Sequence, residues 1–134
     1  MKISVIGCGR WGSFITWYLD HIGHDVTLYG RESSKNMARF LAERKNDLIE
    51  LGESIKLSTN LSCLCDKDIV VISISSQQLK GLMQDLKALD LKNKIFVLCM
   101  KGIDTTTLER LSEIVQKNTD ASNKTAVWLG PGHV

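Results

Sequence analysis

The sequence predicts an α/β domain of the doubly wound kind, a parallel sheet with helices on both faces, and three observations predict it. Strand-like and helix-like segments alternate along all 134 residues. A glycine-rich turn, Gly7-Cys8-Gly9-Arg10-Trp11-Gly12, joins the first strand-like run to the first helix-like one. The run Asp68-Ile69-Val70-Val71-Ile72-Ser73-Ile74 is apolar almost throughout, as a central parallel strand covered on both faces must be. Right-handed crossovers then give the strand order 3-2-1-4-5-6, the Rossmann arrangement, in one domain spanning residues 1–134.

The elements follow in order. Ile3-Ser4-Val5-Ile6 is the first strand. Trp11, Phe14, Ile15, Tyr18, Leu19 and Ile22 recur at helical spacing, which predicts an amphipathic helix that lays this stripe on the sheet. Gly23 ends it, and Val26-Thr27-Leu28-Tyr29 is the second strand. Ser33 or Ser34 caps a helix through Met37, Phe40 and Leu41 toward Arg44. A polar connection from Lys45 to Ser54 precedes a third strand at Ile55-Lys56-Leu57. After the fourth strand, Asp68 to Ile74, Gln77 to Leu86 reads as helix and Lys94 to Met100 as the fifth strand. Thr105 to Gln116 predicts a helix with Leu108, Leu111, Ile114 and Val115 on its buried face, and Thr125 to Leu129 the sixth strand.

This context gives the glycine turn its chemistry. Gly7 suits a tight turn, Gly9 lets a pyrophosphate approach bare backbone, and Gly12 allows close packing of helix on strand. The helix start offers unpaired amides and a positive dipole end to the diphosphate. A structural glycine turn without a ligand is the plainer alternative. Past the second strand, a carboxylate would select the free 2′-hydroxyl of NAD. The chain has Gly30-Arg31-Glu32 there, so Arg31 offers a fork to a 2′-phosphate and NADP is favoured. Glu32 stands one place late and keeps NAD as the alternative. The other loops at the carboxyl ends of the strands are Ser75–Gln77, Lys101–Gly102 and Gly130–Val134. The Lys101 ammonium could reach a phosphate or a polarised carbonyl there, or simply be solvated.

Composition narrows the class. A content of 43% hydrophobic and 24% charged residues is ordinary for a globular domain, and a net charge of +2 argues against nucleic acid or an anionic membrane as partner. Neither a secretory signal nor an apolar run of spanning length is visible, so a cytoplasmic protein without an integral membrane segment is expected. Cys8, Cys63, Cys65 and Cys99 form no zinc-type pair and are expected as free thiols, with Cys8 a small packing residue of the turn. His21 and His24 flank the first helix end and His133 lies in the terminal loop, which makes no catalytic set.

Taken together, the motifs resemble NAD(P)-dependent glycerol-3-phosphate dehydrogenase. They are G-C-G-R-W-G at the start, Y-G-R after the second strand, S-Q after the fourth, K-G-I after the fifth and G-P-G-H-V after the sixth. The resemblance spans the whole chain, in order, and matches only that family's amino-terminal domain. It implies that Arg10, Trp11 and Arg31 contact the dinucleotide, that Lys101 sits between cofactor and substrate, that Gly130 and Gly132 help hold glycerol 3-phosphate, and that Val134 touches the cofactor. It also implies reversible hydride transfer with the C2 carbon of dihydroxyacetone phosphate, feeding glycerophospholipid synthesis. Three positions depart from the pattern: Gly132 replaces serine or threonine, Val134 replaces alanine, and Ser75 replaces proline. The family's general acid/base lysine and phosphate-gripping arginine belong to a following helical domain and have no counterpart here. The chain is therefore expected to be a cofactor domain without its carboxy-terminal helical substrate domain, holding no catalytic residue of its own, binding cofactor weakly and not turning over. A non-catalytic NAD(P)-sensing or interaction module is the alternative.

Overall fold

Successive side chains of a strand point to opposite faces, so an apolar run in a central strand must feed two cores. Ile3, Val5, Val26, Leu28 and Val71 gather on one side with Ile15, Met37 and Phe40. Ile6, Val70, Ile72, Phe96 and Leu98 gather on the other with Leu82, Met83, Leu86 and Ile114. The computed structural model describes residues 1–128. Its elements are β1 (Lys2–Ile6), α1 (Arg10–His21), β2 (Asp25–Tyr29), α2 (Lys35–Glu43), β3 (Lys56–Ser58), β4 (Ile69–Ile72), α3 (Leu79–Lys87), β5 (Ile95–Leu98), α4 (Leu111–Lys117) and β6 (Lys124–Val127).

The six strands form one parallel sheet in the order β3-β2-β1-β4-β5-β6, as the sequence predicts. Val5 pairs with Leu28 on one side and Val71 on the other, which puts β1 at the centre. The chain reverses its direction of travel across the sheet between β1 and β4, so the loops leaving these two strands diverge and open a crevice. Element ends shift by a residue or two, and β4 stops at Ile72, before Ser73 and Ile74. Short 3-10 turns stand at Leu61–Leu64 and Ser76–Gln78, the latter leading into α3. Leu129, the last residue expected in the sixth strand, lies outside the described residues.

Two expectations are corrected. The stripe predicted to lay α1 on the sheet mostly faces outward: Trp11, Phe14 and Tyr18 are 44%, 40% and 42% exposed, and Ile22 is exposed too. The face that packs is Gly12, Ser13, Ile15 and Thr16. A Cβ at residue 12 would run into the carbonyl oxygen of Gly7, so the helix starts so close to the strand that only small side chains fit between them. Thr16 Oγ1 and Ser13 Oγ turn back onto the carbonyls of Gly12 and Gly9, at 2.8 and 2.7 Å, and are thereby satisfied while buried. The displaced aromatics stack on one another, Trp11 on Phe14 with centroids 5.6 Å apart and Phe14 on Tyr18 at 6.5 Å.

The helix predicted from Thr105 is the second correction, for α4 begins only at Leu111. Asp104 accepts hydrogen bonds from the amides of Thr106 and Thr107, each at 2.9 Å, and offers the backbone a turn instead of a helix. Leu108, expected in the core, adopts φ 60° and is 71% exposed.

Candidate functional site

The loops leaving β1, β2 and β4 open on a cavity of about 590 Å³. Its floor is the turn from Gly7 to Gly12. Gly7 has φ 114°, and a Cβ there would meet the carbonyl oxygen of Ser73. Gly9 is different: its backbone is extended at φ −74°, and a Cβ would have nothing within 4 Å. Packing within the protein gives no reason for glycine at this position, which faces the cavity. No side chain caps α1 and no acid stands in its first turn, so its leading amides and positive dipole end are left for an anion.

The second strand delivers the next side chain. A Cβ on Gly30 would come within 2.9 Å of both Cys8 Sγ and Met37 Cβ, so the first residue able to reach outward is Arg31. Arg31 lines the cavity beside Ser33, Ser34 and Asn36, at the start of α2. Ser34 caps α2 as the sequence predicts, its Oγ accepting from the Met37 amide at 3.2 Å, and the same oxygen lies 3.3 Å from Cys8 Sγ. That contact ties the turn after β1 to the helix after β2. The opposite wall is made by Tyr29, Leu82 and Asp85. Burial pushes the Tyr29 phenol above its ordinary pKa against the pull of the Arg31 charge, so it stays neutral in the working range.

Of the residues singled out from the sequence, Gly7, Gly9, Arg10, Trp11, Gly12 and Arg31 all line this cavity, as does Ser75. Gln77 is turned away. It accepts from Thr105 Oγ1 at 2.8 Å and donates to the Ile103 carbonyl at 3.5 Å, which fastens the loop after β5. Lys101 is exposed on that loop, at the carboxyl end of the sheet but outside the lining of the cavity. Gly130, Gly132 and Val134, with His133, lie outside the described residues. His21 stacks on Trp17 at 5.2 Å, on the last turn of α1, and His24 approaches the amino terminus at 3.3 Å. Burial pushes the Cys99 thiol up to about 11, too high for a nucleophile at neutral pH. Among the described residues no cluster of His, Cys, Asp and Glu is arranged to hold a metal, and no helix is long and apolar enough to cross a membrane.

Sequence reasoning passed over Tyr29, Leu82 and Asp85 as site residues. Their meeting depends on how α3 lies across the end of β2, which helical spacing alone does not give. Ser33, Ser34 and Asn36 were legible only as a helix start.

Comparison with known proteins adds to this geometry. Residues 2–134 match the family described as NAD-dependent glycerol-3-phosphate dehydrogenase N-terminus. The glycerol-3-phosphate dehydrogenase [NAD(P)+] of a Thermoanaerobacter species is 34% identical over 99% of this chain, and that of an Exiguobacterium species is 33% identical over 98%. The alignments take in 41% and 40% of those proteins, so the chain spans about two fifths of the curated relatives it matches. The crystal structure of a glycerol-3-phosphate dehydrogenase from Coxiella burnetii superposes on 94% of the chain with a TM-score of 0.82 at 22% identity, using 39% of that protein. A ketopantoate reductase from Ralstonia eutropha superposes on 95% of the chain with a TM-score of 0.74 at 16% identity, using 40% of its own length. At such identities these two likenesses speak for the fold alone. The alternative of a non-catalytic sensing module finds no support among these relatives.

Proposed function

The chain belongs to the family of NAD-dependent glycerol-3-phosphate dehydrogenase N-termini, and on that premise we propose that its cleft holds NADP in preference to NAD. The observation that carries the reading is the open space over Gly9 beside the uncapped start of α1, a cradle that a diphosphate fits and that protein packing does not require. The 2′-phosphate of NADP would lie between the Arg31 guanidinium and the serines at the head of α2, where the dipole adds to the charge. When bound, the nicotinamide supplies the hydride chemistry. Arg10 and Arg31 contribute charge to hold the anion, and Trp11 an apolar surface at the same floor.

The same reading makes the activity interconversion of glycerol 3-phosphate and dihydroxyacetone phosphate, in the cytoplasm. Lys101 would stand between cofactor and substrate, with Gly130 and Gly132 on the substrate and Val134 against the cofactor. In this reading the general acid/base belongs to a carboxy-terminal substrate domain, of the kind the longer relatives have room for.

Titration of the purified chain with NADPH and NADH, read by the intrinsic tryptophan fluorescence, to which Trp11 at the cavity floor contributes, tests the cofactor assignment. The expected result is tighter binding of NADPH, about tenfold, with the preference lost in Arg31→Ala, on the scale of a charge-assisted hydrogen bond. Equal or stronger binding of NADH by the native chain would overturn the role given to Arg31.

A further inference from the structure

The two sides of the cavity differ in chemistry. One side is cationic and polar, with Arg31 and the head of α2. The other is apolar, built from Tyr29 and Leu82, which belong to the same core cluster, and it ends in Asp85, the one carboxylate among the described residues that line the cavity. Leu82 and Asp85 are three apart on α3 and so lie on the same side of the helix. Asp85 has no ion pair among the described residues, and it lies near enough to Tyr29 for its charge to be felt there. A carboxylate beside the path of a diphosphate is electrostatically adverse. It suits a part of the ligand that is flat, uncharged and presents a hydrogen-bond donor at its edge. In a dinucleotide whose 2′-phosphate is held by Arg31 in the same cavity, that part is the purine of the same nucleotide: its faces can lie along Leu82 and Tyr29 while its 6-amino group points outward.

We propose that Asp85 is the specificity-determining residue of the base subsite, its carboxylate accepting a hydrogen bond from the adenine 6-amino group while Tyr29 and Leu82 bound the ring. The assignment rests on the dinucleotide reading given above. A 6-oxo purine sets an acceptor against the carboxylate at that point and loses this hydrogen bond, which weakens its binding. An asparagine can donate to the 6-oxo group as well as accept from the 6-amino group, so it removes the distinction without removing the contact.

The test uses NADPH and NADH beside their hypoxanthine counterparts, with the native chain and Asp85→Asn, binding being followed by calorimetry. The native chain should bind the 6-amino form about tenfold more tightly than the 6-oxo form, the scale of one hydrogen bond to a charged group, and Asp85→Asn should bring the two within about twofold. Asp85 is exposed on its helix, so the variant should melt with the native chain and any change is one of recognition. Equal binding of the two bases by the native chain, or a preference that survives in Asp85→Asn, overturns the role of Asp85 while leaving the cofactor reading intact. Failure of NADPH and NADH alike to bind overturns both.

Discussion

Gly9 and Gly12 stand three residues apart in one turn and are glycine for opposite reasons. At Gly12 the constraint is inside the protein, since a Cβ would run into the carbonyl oxygen of Gly7 and push α1 away from β1. At Gly9 the protein leaves open space, and the constraint belongs to whatever approaches from the cavity. Alanine substitutions separate the two. Gly9→Ala has an allowed backbone, so its stability should stay within about 1 kcal/mol of native, the loss at an N-cap partly offset by a stiffer unfolded chain. Its affinity for a dinucleotide should fall by an order of magnitude or more. Gly12→Ala should cost about 1–3 kcal/mol through overpacking against backbone, and lose binding as a consequence of the displaced helix. Urea unfolding beside ligand titration reads both quantities. A Gly9→Ala chain that is destabilised as much as Gly12→Ala would show the open space to be illusory. Both glycines were assigned these roles from the six-residue pattern alone, because the pattern specifies where backbone must approach backbone. Arg31 was legible from its place just past the second strand, where the ribose of a dinucleotide is read, and the structure adds that Gly30 before it is too crowded to be anything larger.

Elements were harder to read where two signals competed. On α1 the apolar spacing pointed to the wrong face, since hydrophobic periodicity assumes that large residues are buried, whereas close approach at Gly12 reserves the sheet side for Gly12, Ser13, Ile15 and Thr16. In the segment before α4, the spacing of Leu108 and Leu111 mimicked a helix turn that the Asp104 side chain pre-empts. Asp104 is buried, its side chain only 6% exposed, and its carboxylate lies 3.6 Å from the Lys80 ammonium, which links the loop to α3. Hydrogen bonds from the Thr107 and Thr106 amides, with the Lys80 charge, hold its carboxyl below the usual carboxylate range. A group whose folded pKa is lowered contributes its full stability above the unfolded value of about 4, and loses it as pH falls through the lower, folded value. The difference in urea midpoint between the native chain and Asp104→Asn should therefore be constant at neutral pH and shrink below about pH 4. Both amides donate to the same oxygen, Oδ1, which Asn retains as an acceptor without the charge, so the fold survives for the comparison. A difference that stays constant to pH 2 would remove Asp104 as the charge that ends the helix early.

At the scale of the whole molecule the strand order was legible because few topologies satisfy alternating elements, right-handed crossovers and a doubly covered β4 at once. The place of the cleft followed from that order, where β1 and β4 send their chains to opposite sides of the sheet. What stayed hidden is the wall opposite Arg31, for it depends on the lie of α3 rather than on any local pattern. The cleft joins elements from both core clusters, with the α1 and α2 starts on one side and α3 on the other. A ligand seated there bridges the two halves of the sheet and must stabilise the molecule as a unit. At a concentration of NADPH one hundred times its dissociation constant, binding to the folded state alone adds about 2.7 kcal/mol. For a chain of this size that corresponds to a rise in melting temperature of roughly 10 °C. The rise should be one cooperative shift, seen equally by near-ultraviolet signals from the aromatic side chains and by far-ultraviolet signals from the backbone, because the ligand touches both cores. Gly9→Ala, with its fold intact and its affinity about tenfold lower, should gain only about 1.4 kcal/mol at the same concentration, roughly half the rise. Two separate transitions on adding NADPH, with only one of them moving, would mean that the halves of the sheet unfold independently and that the cleft does not couple them.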